Sequence, residues 1–431
     1  MIPAWGKIKV LLTHSLARNS GWMLFGLGGN ALLQAGAFIL LARLLGVTEY
    51  GVFAGAFALV NTVTPYSSLG SQMIFMRHVS ADRDSAQVYW GNMVAITAAT
   101  TIFLTCALAL IGKELLGSQT VALIAVLVFA GCFMTQITNN ASIVFQTFEQ
   151  MKSAAWLRTL SNLLRILSLA VLIVWFHHAT AFECSIAILV SSAIAALLAG
   201  IWVRRVIGRM RLSEKHFRMR FWEGIGFSFA GSTTAVYNDV DKMMLSHFGM
   251  NAANGIYTLA YRVVDFATIP VNSIDIACLP RYFTLNNDGL AAVVRLAKRV
   301  VPIGAVSGLL AAGLTLLASP FVVRLAGHGF AETVVVFRWL CWLPALRGIH
   351  QLTGGVLTAT GLQNYRTGAQ CATAILNVVL NLILIPSHGW LGAAWASLAS
   401  DSTLAVLNGL LVLFVLRKFG RLSSAHVLEE V

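Results

Sequence analysis

Apolar residues occur along this chain in long blocks that are separated by short polar breaks. A membrane-spanning α-helix needs roughly 20 mostly apolar residues, and blocks of about that length recur twelve times. No stretch alternates with the two-residue period of a barrel strand. The pattern therefore predicts an all-α integral membrane protein with about twelve transmembrane helices. The predicted spans are residues 21–42, 52–76, 89–112, 119–144, 154–176, 182–203, 224–247, 254–280, 291–318, 331–356, 367–386 and 391–416.

The composition agrees with a membrane protein and argues against a nucleic-acid-binding one. Of the 431 residues, 58% are hydrophobic and only 11% are charged, whereas about a quarter of a soluble domain is charged. The net charge of +13 would suit nucleic acid, but the basic residues lie at the ends of the apolar blocks, where they orient helices in a membrane. The six cysteines are isolated, and the sequence has no C-x-x-C motif, phosphate loop or metal-ligand spacing. We therefore expect no metal, no cofactor and no nucleic-acid partner.

The most basic stretch of the chain, residues 204–220, contains seven arginines and lysines and one acid. Short loops of this kind stay on the cytoplasmic side of a membrane, and basic loops alternate with base-poor loops along the chain. We therefore expect an even number of helices and both termini in the cytoplasm. The predicted domains are an N-terminal six-helix bundle at 1–207, a basic linker at 208–222 that contacts membrane lipids, and a C-terminal six-helix bundle at 223–431.

The two halves of the chain resemble each other in the order of their polar residues. The register between them is 204 residues in the early helices and 212 residues in the later ones. Because six helices are an even number, both copies enter the membrane in the same orientation. This predicts two parallel bundles related by a pseudo-twofold axis along the membrane normal, with a central cavity. The two registers pair Gly51 with Gly255, Asn61 with Asp265, Arg158 with Gln370 and Arg165 with Asn377.

Several predicted helices carry ionisable or amide side chains on one face. An ionisable group at the centre of a span costs ~2.5–3.5 kcal/mol on insertion scales, so it usually faces a bundle interior or a wet cavity. Arg165 and Arg347 lie more than a turn from the predicted helix ends and have no acid three or four residues away. We therefore expect both to contact an anion in the cavity. The other predicted cavity residues are Arg262, Arg158, Asn162, Asn61, Asn377, His350 and Gln351.

Several of these residues have alternative interpretations. Arg158 lies near a cytoplasmic helix end, where a long side chain can reach the headgroups, and Arg262 can form a closed ion pair with Asp265. The amides can simply join helices by hydrogen bonds. A carboxylate at Asp241 could carry a coupling ion or only neutralise Lys242. The candidate ion-coupling residues are Asp241, Asp239 and Asp265.

Three segments of the chain resemble a known family. Residues 41–60, LARLLGVTEYGVFAGAFALV, are similar to the first-to-second helix junction of bacterial polysaccharide repeat-unit flippases. These are the Wzx-type branch of the multidrug/oligosaccharidyl-lipid/polysaccharide (MOP) exporter superfamily. Residues 239–263 resemble the matching junction of the second half, and residues 361–386 resemble the closing helices. The residues that carry the two junctions are Arg43, Gly46, Gly51, Gly255 and Tyr257, and Asp241 matches the acid before the second junction.

The resemblance implies a transporter rather than an enzyme. Its expected substrate is an undecaprenyl-pyrophosphate-linked oligosaccharide, moved by alternating access from the cytoplasmic to the periplasmic leaflet of the inner membrane, with an ion as a candidate driving species. Arginine would give the pyrophosphate donors in fixed geometry, and amides and hydroxyls would bind the glycan. Membrane lipids, a polymerase and other polysaccharide-assembly proteins are the expected partners.

Other transporters and one enzyme class compete with this interpretation. A drug/cation antiporter of the same superfamily would have a cavity rich in acids and aromatics, whereas arginines outnumber acids on the polar faces here. A peptidoglycan-precursor flippase usually has two further helices. A membrane-embedded glycan-modifying enzyme would need catalytic carboxylates on a sizeable loop, and the loops in this sequence are short.

Overall fold

The computed structural model describes residues 4–175, 179–213, 235–286 and 289–429, together with Ser228 and Ser232, and the side chains between 29 and 414. All regular structure in this part of the chain is helical. The helices are α1 Ala4–Val63, α2 Ser71–Val79, α3 Ala86–Leu116, α4 Val121–Val128, α5 Gln136–Thr147, α6 Met151–Trp175, α7 Ala181–Ile207, α8 235–247, α9 Asn251–Ala267, α10 Ile269–Asn286, α11 Leu290–Ala326, α12 Thr333–Leu340, α13 Leu343–Ala359, α14 Gln363–His388 and α15 Trp390–Glu429.

The helices confirm the predicted all-α membrane architecture. Within the described residues, eight helical segments are long and apolar enough to cross a bilayer, or nine if α9 and α10, which meet at 41°, form one span. Several predicted spans are interrupted: the second by a 3₁₀ turn at Thr64–Tyr66, the fourth by a π-helical turn at Phe129–Thr135. The predicted seventh span, 224–247, lies partly outside the described residues. With an interrupted span counted once, the helices agree with about twelve crossings.

Large apolar side chains cover the outer faces of the long helices. Val174 is 77% exposed and Leu317 is 80% exposed. Such surfaces would be unfavourable over a wide area in water, but hydrocarbon solvates them without cost. Polar groups, by contrast, are buried between helices, where they can bind each other. This arrangement fits a multi-pass membrane protein.

The helix boundaries of the two halves follow the two registers expected from the sequence. Early boundaries are 204 residues apart and later ones 212 residues apart. The register changes because α11 has 37 residues and α3 has 31, and because two further residues, 331–332, precede α12. The early pairs are Val63 with Ala267 (ends of α1 and α9) and Ala86 with Leu290 (starts of α3 and α11), and the later pairs are Thr147 with Ala359 (ends of α5 and α13) and Met151 with Gln363 (starts of α6 and α14).

Equivalent turns also share their backbone conformation. The chain bends at Gly46 within α1 with φ 69°, and Gly249 between α8 and α9 has φ 72°. At the next equivalent turn, Glu149 has φ 59° and Gly361 has φ 78°. L-residues are disfavoured at positive φ because Cβ approaches the following carbonyl oxygen, so glycine suits three of these positions and Glu149 is the exception.

The chain forms two compact units, Met1–Asp239 and Val240–Val431. In the first unit, the segment that follows α7 lies against the start of α3. The amide of Arg211 donates to the carbonyl of Gln87 (3.0 Å), and Asn92 exchanges two hydrogen bonds with the backbone of Ser213 (2.9 and 3.0 Å). We call residues 208–213 the docked segment. The rest of the predicted basic linker, from residue 214, lies outside the described residues, so the predicted domain boundaries stay predictions.

In the second unit, α11 and α13 pack closely through small residues. A Cβ atom on Gly308 would lie 2.4 Å from the Cα of Ala345, and one on Gly348 would lie 2.8 Å from the carbonyl oxygen of Gly304. Small residues at this spacing let two helix backbones approach in a membrane. The contact fixes the turn of α13 that carries Arg347.

Candidate functional site

The first unit contains a cavity of about 230 Å³ that is lined by α1, the 3₁₀ turn after it, α4, the π-helical turn, α5, α6 and α7. Among the described residues that line it, Arg165 is the only ionisable one. The polar lining residues are Gln34, Asn61, Thr64, Thr135, Asn139 and Arg165, and the apolar ones are Ala37, Phe38, Leu41, Phe53, Phe57, Val60, Leu127, Ala130, Gly131, Leu169 and Ile188.

The π-helical turn shapes one wall of this cavity. Such turns insert an extra residue into a helix and are frequent at functional sites. Here it places the small residues Ala130 and Gly131, and the hydroxyl of Thr135, against the cavity. The Thr135 hydroxyl also donates to Ser192 on α7 at 3.4 Å. The turn therefore leaves space beside α1 and keeps its wall polar at one point.

Arg165 reaches the cavity from α6 without a counter-ion in the described part of the chain. Its Nε is buried and makes no hydrogen bond there, and its guanidinium forms no ion pair there. A buried charge without a partner costs several kcal/mol. One lining residue does contact an acid: the amide of Asn61 donates a 2.5 Å hydrogen bond to Oδ2 of Asp239. The cavity therefore presents an uncompensated guanidinium.

The other predicted residues of α6 bind neighbouring helices. The Nε of Arg158 donates to the hydroxyl of Ser142 on α5 at 3.1 Å. The amide of Asn162 donates to the side-chain oxygen of Asn30 on α1. Neither side chain is among the residues that line this cavity; both fix α6 against neighbouring helices that enclose it.

The second unit contains a cluster of paired charges around Arg347 on α13. Its Nη1 donates to Asp265 Oδ1 at 2.8 Å, its Nη2 donates to the Tyr261 hydroxyl at 2.6 Å, and its Nε lies 3.5 Å from Asp401 Oδ2. His350, one turn along α13, lies 3.6 Å from the other oxygen of Asp401. The acids come from α9 and α15, so a search within one helix could not find them. We call Arg347, Asp265, Tyr261, Asp401 and His350 the ionic cluster.

A buried ion pair lies beside this cluster. Lys242 on α8 is fully buried, and its Nζ is 3.1 Å from Asp241 Oδ1. The other oxygen of Asp241 accepts from the Tyr257 hydroxyl (2.5 Å) and from Ser397 (3.4 Å). The Lys242 Nζ also lies 3.7 Å from the ring centroid of Tyr261, a cation–π contact. Asp241 therefore neutralises Lys242 in this structure, one of the two roles expected for it.

The remaining predicted residues serve different contacts. Arg262 lies 3.8 Å from Asp265 as an i,i+3 ion pair. Asn377 is buried and donates to Ser400 on α15 at 3.1 Å, which joins two helices. The side-chain oxygen of Gln351 is buried and has no hydrogen-bond partner among the described residues. Arg43 is exposed, whereas Gly51, Gly255 and Tyr257 are buried.

Several residues that matter to these sites were absent from the predicted set, and four of them illustrate why. Asn139 and Phe57 line the cavity, and Tyr261 and Asp401 bind Arg347. An amide inside an apolar block could have indicated Asn139. Asp401 could have been indicated in the same way, because it is an acid inside a predicted span and lies one turn after Ser397. Nothing in the sequence distinguishes Phe57 or Tyr261 from ordinary packing residues.

Comparison with known proteins places the chain in a family. A family model for polysaccharide biosynthesis proteins matches residues 16–285, which is more than half of the chain. The chain belongs to this family. It is also 23% identical over 418 residues to "Putative O-antigen transporter" of Escherichia coli (strain K12), covering 93% of this chain and 97% of that protein.

Solved structures agree on the fold. An inward-facing multidrug resistance MATE family transporter of the MOP superfamily superimposes with a TM-score of 0.76 at 14% identity, covering 91% of this chain and 96% of that one. An outward-facing MATE transporter gives a TM-score of 0.61 at 14% identity, covering 94% and 96%. The resemblance to Wzx-type flippases of the MOP superfamily is confirmed. The family match and these folds agree with a membrane transporter of polysaccharide biosynthesis rather than an enzyme.

Proposed function

We propose that this transporter flips an undecaprenyl-pyrophosphate-linked oligosaccharide from the cytoplasmic to the periplasmic leaflet of the bacterial inner membrane. Both termini then lie in the cytoplasm, and a polymerase and other assembly proteins receive the product. Family membership supports a polysaccharide substrate, and the name of the Escherichia coli relative supports an O-antigen unit.

The uncompensated guanidinium of Arg165 is the observation that carries this proposal. Within the described lining, a single cation and several amides and hydroxyls face a cavity that no carboxylate lines. A low-dielectric site strengthens the attraction between such a guanidinium and an anion. The arrangement thus favours an anionic glycan over a cationic drug, which would need carboxylates in the same place. The MATE-like fold alone does not choose between these substrates, because both classes share it.

The proposal also includes ion coupling through the second unit. Of the candidate carboxylates, Asp265 has a side chain that is 35% exposed, whereas Asp241 and Asp239 are each only 2% exposed. Asp265 is therefore the most accessible to a proton or sodium ion. Flipping by Asp265→Asn should not respond to an imposed pH or sodium gradient, while the unaltered protein should; an unchanged response would remove Asp265 from the coupling role.

Reconstituted flipping tests the substrate proposal. Full-length protein in liposomes should move a fluorescent undecaprenyl-pyrophosphate-linked oligosaccharide between leaflets. Arg165→Gln should slow this roughly tenfold or more, since a hydrogen bond to a charged group contributes ≈ 1.5–3 kcal/mol. Arg204→Gln, at an exposed position on α7, is the matched control and should flip normally. Full-rate flipping by Arg165→Gln, or none by the unaltered protein, would contradict the proposal.

A further inference from the structure

We infer that the first-unit cavity binds a single pyranose ring that carries one anionic group. This inference rests on the proposed function, because it takes the ring to be part of the transported lipid-linked oligosaccharide. It goes further by stating which part of that substrate the cavity accepts. Three independent features of the cavity support it: its volume, its aromatic wall and its charge.

The volume restricts the ligand to about one ring. Sites for drug-sized ligands usually measure ≈ 300–1,000 Å³, and this cavity measures about 230 Å³. A repeat unit of several sugars exceeds that space. The cavity therefore takes one part of the substrate and leaves the rest outside.

The aromatic wall suits a pyranose better than a bare diphosphate. Phe38 and Phe57 meet edge to face with ring centroids 6.2 Å apart, and Phe53 stacks on Phe57 at 5.7 Å. All three line the cavity. A pyranose has an apolar C–H face that can pack on such rings, while its hydroxyls point to the side. A diphosphate has no apolar face and would lose hydration against these rings without compensation.

Uncommitted amides complete the wall. Gln34 and Asn139 line the cavity with exposed side chains, and neither makes a side-chain hydrogen bond within the described residues. Each amide offers donors and acceptors together, which is the combination that ring hydroxyls need. Asn61 is partly committed, because its amide donates to Asp239.

The charge of the cavity matches one anionic group. Arg165 supplies a single guanidinium, and the Asp239 carboxylate behind Asn61 opposes any second negative charge. A diphosphate carries more than one negative charge, and the described lining has no second cation to neutralise it. Uncompensated buried charge is unfavourable. A carboxylate on an acidic sugar and the phosphate of a glycosyl phosphate share the required chemistry.

Four probes separate the ring from the anion. We would measure their binding to the full-length protein in lipid nanodiscs by calorimetry. Methyl glucuronide and glucose 1-phosphate carry both features, methyl glucoside carries only the ring, and inorganic pyrophosphate carries only the anion. At least one of the two charged pyranoses should bind about tenfold or more tightly than methyl glucoside and than inorganic pyrophosphate. Tighter binding of the glucuronide would show that the cavity takes an acidic sugar of the repeat unit. Tighter binding of glucose 1-phosphate would show that it takes the sugar next to the lipid carrier.

Variants assign the binding to this cavity. Arg165→Gln should remove the advantage of charged over uncharged pyranoses, Arg165→Lys should keep part of it, and Phe57→Leu should weaken all three pyranose probes. Arg204→Gln is the control. Equal or tighter binding of pyrophosphate, no binding of any probe, or unchanged affinities in Arg165→Gln would overturn the inference. Those results are distinguishable from failure of the transport proposal, because flipping by the same preparations is measured separately.

Discussion

Equivalent positions in the two units carry different chemistry. By the registers of 204 and 212 residues, Asn61 is equivalent to Asp265 and Thr135 is equivalent to Arg347. α7 and α15 begin 209 residues apart, so Ser192 is equivalent to Asp401. Thr135 contacts Ser192 at 3.4 Å, and Arg347 contacts Asp401 at 3.5 Å. The same helix contact is made between hydroxyls in the first unit and between ions in the second.

The aromatic positions differ in the same sense. Phe53 and Phe57 line the first-unit cavity. Their counterparts, Tyr257 and Tyr261, use the added hydroxyls to bind Asp241 and Arg347. The second unit thus neutralises the charge of Arg347 internally, whereas Arg165 has no counter-ion among the described residues of the first unit. An arginine in a membrane helix therefore indicates a binding site only when its tertiary neighbours leave it uncompensated.

Removing the central cation of the ionic cluster should have the largest effect on stability. Arg347→Ala leaves the buried Asp401 carboxylate without its guanidinium, and breaking a buried pair in this way costs about 3–5 kcal/mol. Thermal unfolding in detergent would measure the loss. The triple variant Asp265→Asn, Arg347→Thr, Asp401→Ser copies the first unit and should recover most of it. If Arg347→Ala is as stable as the unaltered protein, the ion pairs of the ionic cluster do not stabilise the fold.

A smaller loss is expected from the neighbouring ion pair. Tyr257→Phe copies Phe53 and removes the 2.5 Å hydrogen bond to Asp241. A hydrogen bond to a charged group contributes about 1.5–3 kcal/mol, so the midpoint of unfolding should fall by a corresponding amount. Tyr365→Phe, at a position 59% exposed, should change nothing. Equal midpoints for the two variants would show that the hydroxyl of Tyr257 contributes no stability.

The smallest effects should occur at the turn after α5 and its equivalent after α13. Gly361→Ala introduces a Cβ at φ 78° and Glu149→Gly removes one at φ 59°. The first should destabilise by about 1 kcal/mol, and the second should stabilise by less than that, because glycine also gains entropy in the unfolded chain. Denaturant midpoints would measure both. Changes of the same sign would contradict the equivalence of the two turns.

The sequence allowed the architecture to be predicted because hydrophobic blocks and loop charges are local signals. The two registers also appeared in the sequence, since residues such as Asn61 and Asp265 keep their order. The state of each charge was not predictable. Arg165 and Arg347 look alike along their helices, and only the approach of α9 and α15 gives Arg347 its acids. The π-helical turn likewise has no mark in an apolar block.

The docked segment on α3 has a mechanical consequence. Because Asn92 and Gln87 hold the backbone that follows α7, the start of α3 and the end of α7 are held together although they are distant in the chain. A Cβ atom on Gly91 would lie 2.1 Å from the Arg211 carbonyl oxygen, so the fit leaves no room for even a methyl group. Any displacement of residues 211–213 would therefore act on α3 as well as on α7, because the same backbone is bonded to one helix and continuous with the other.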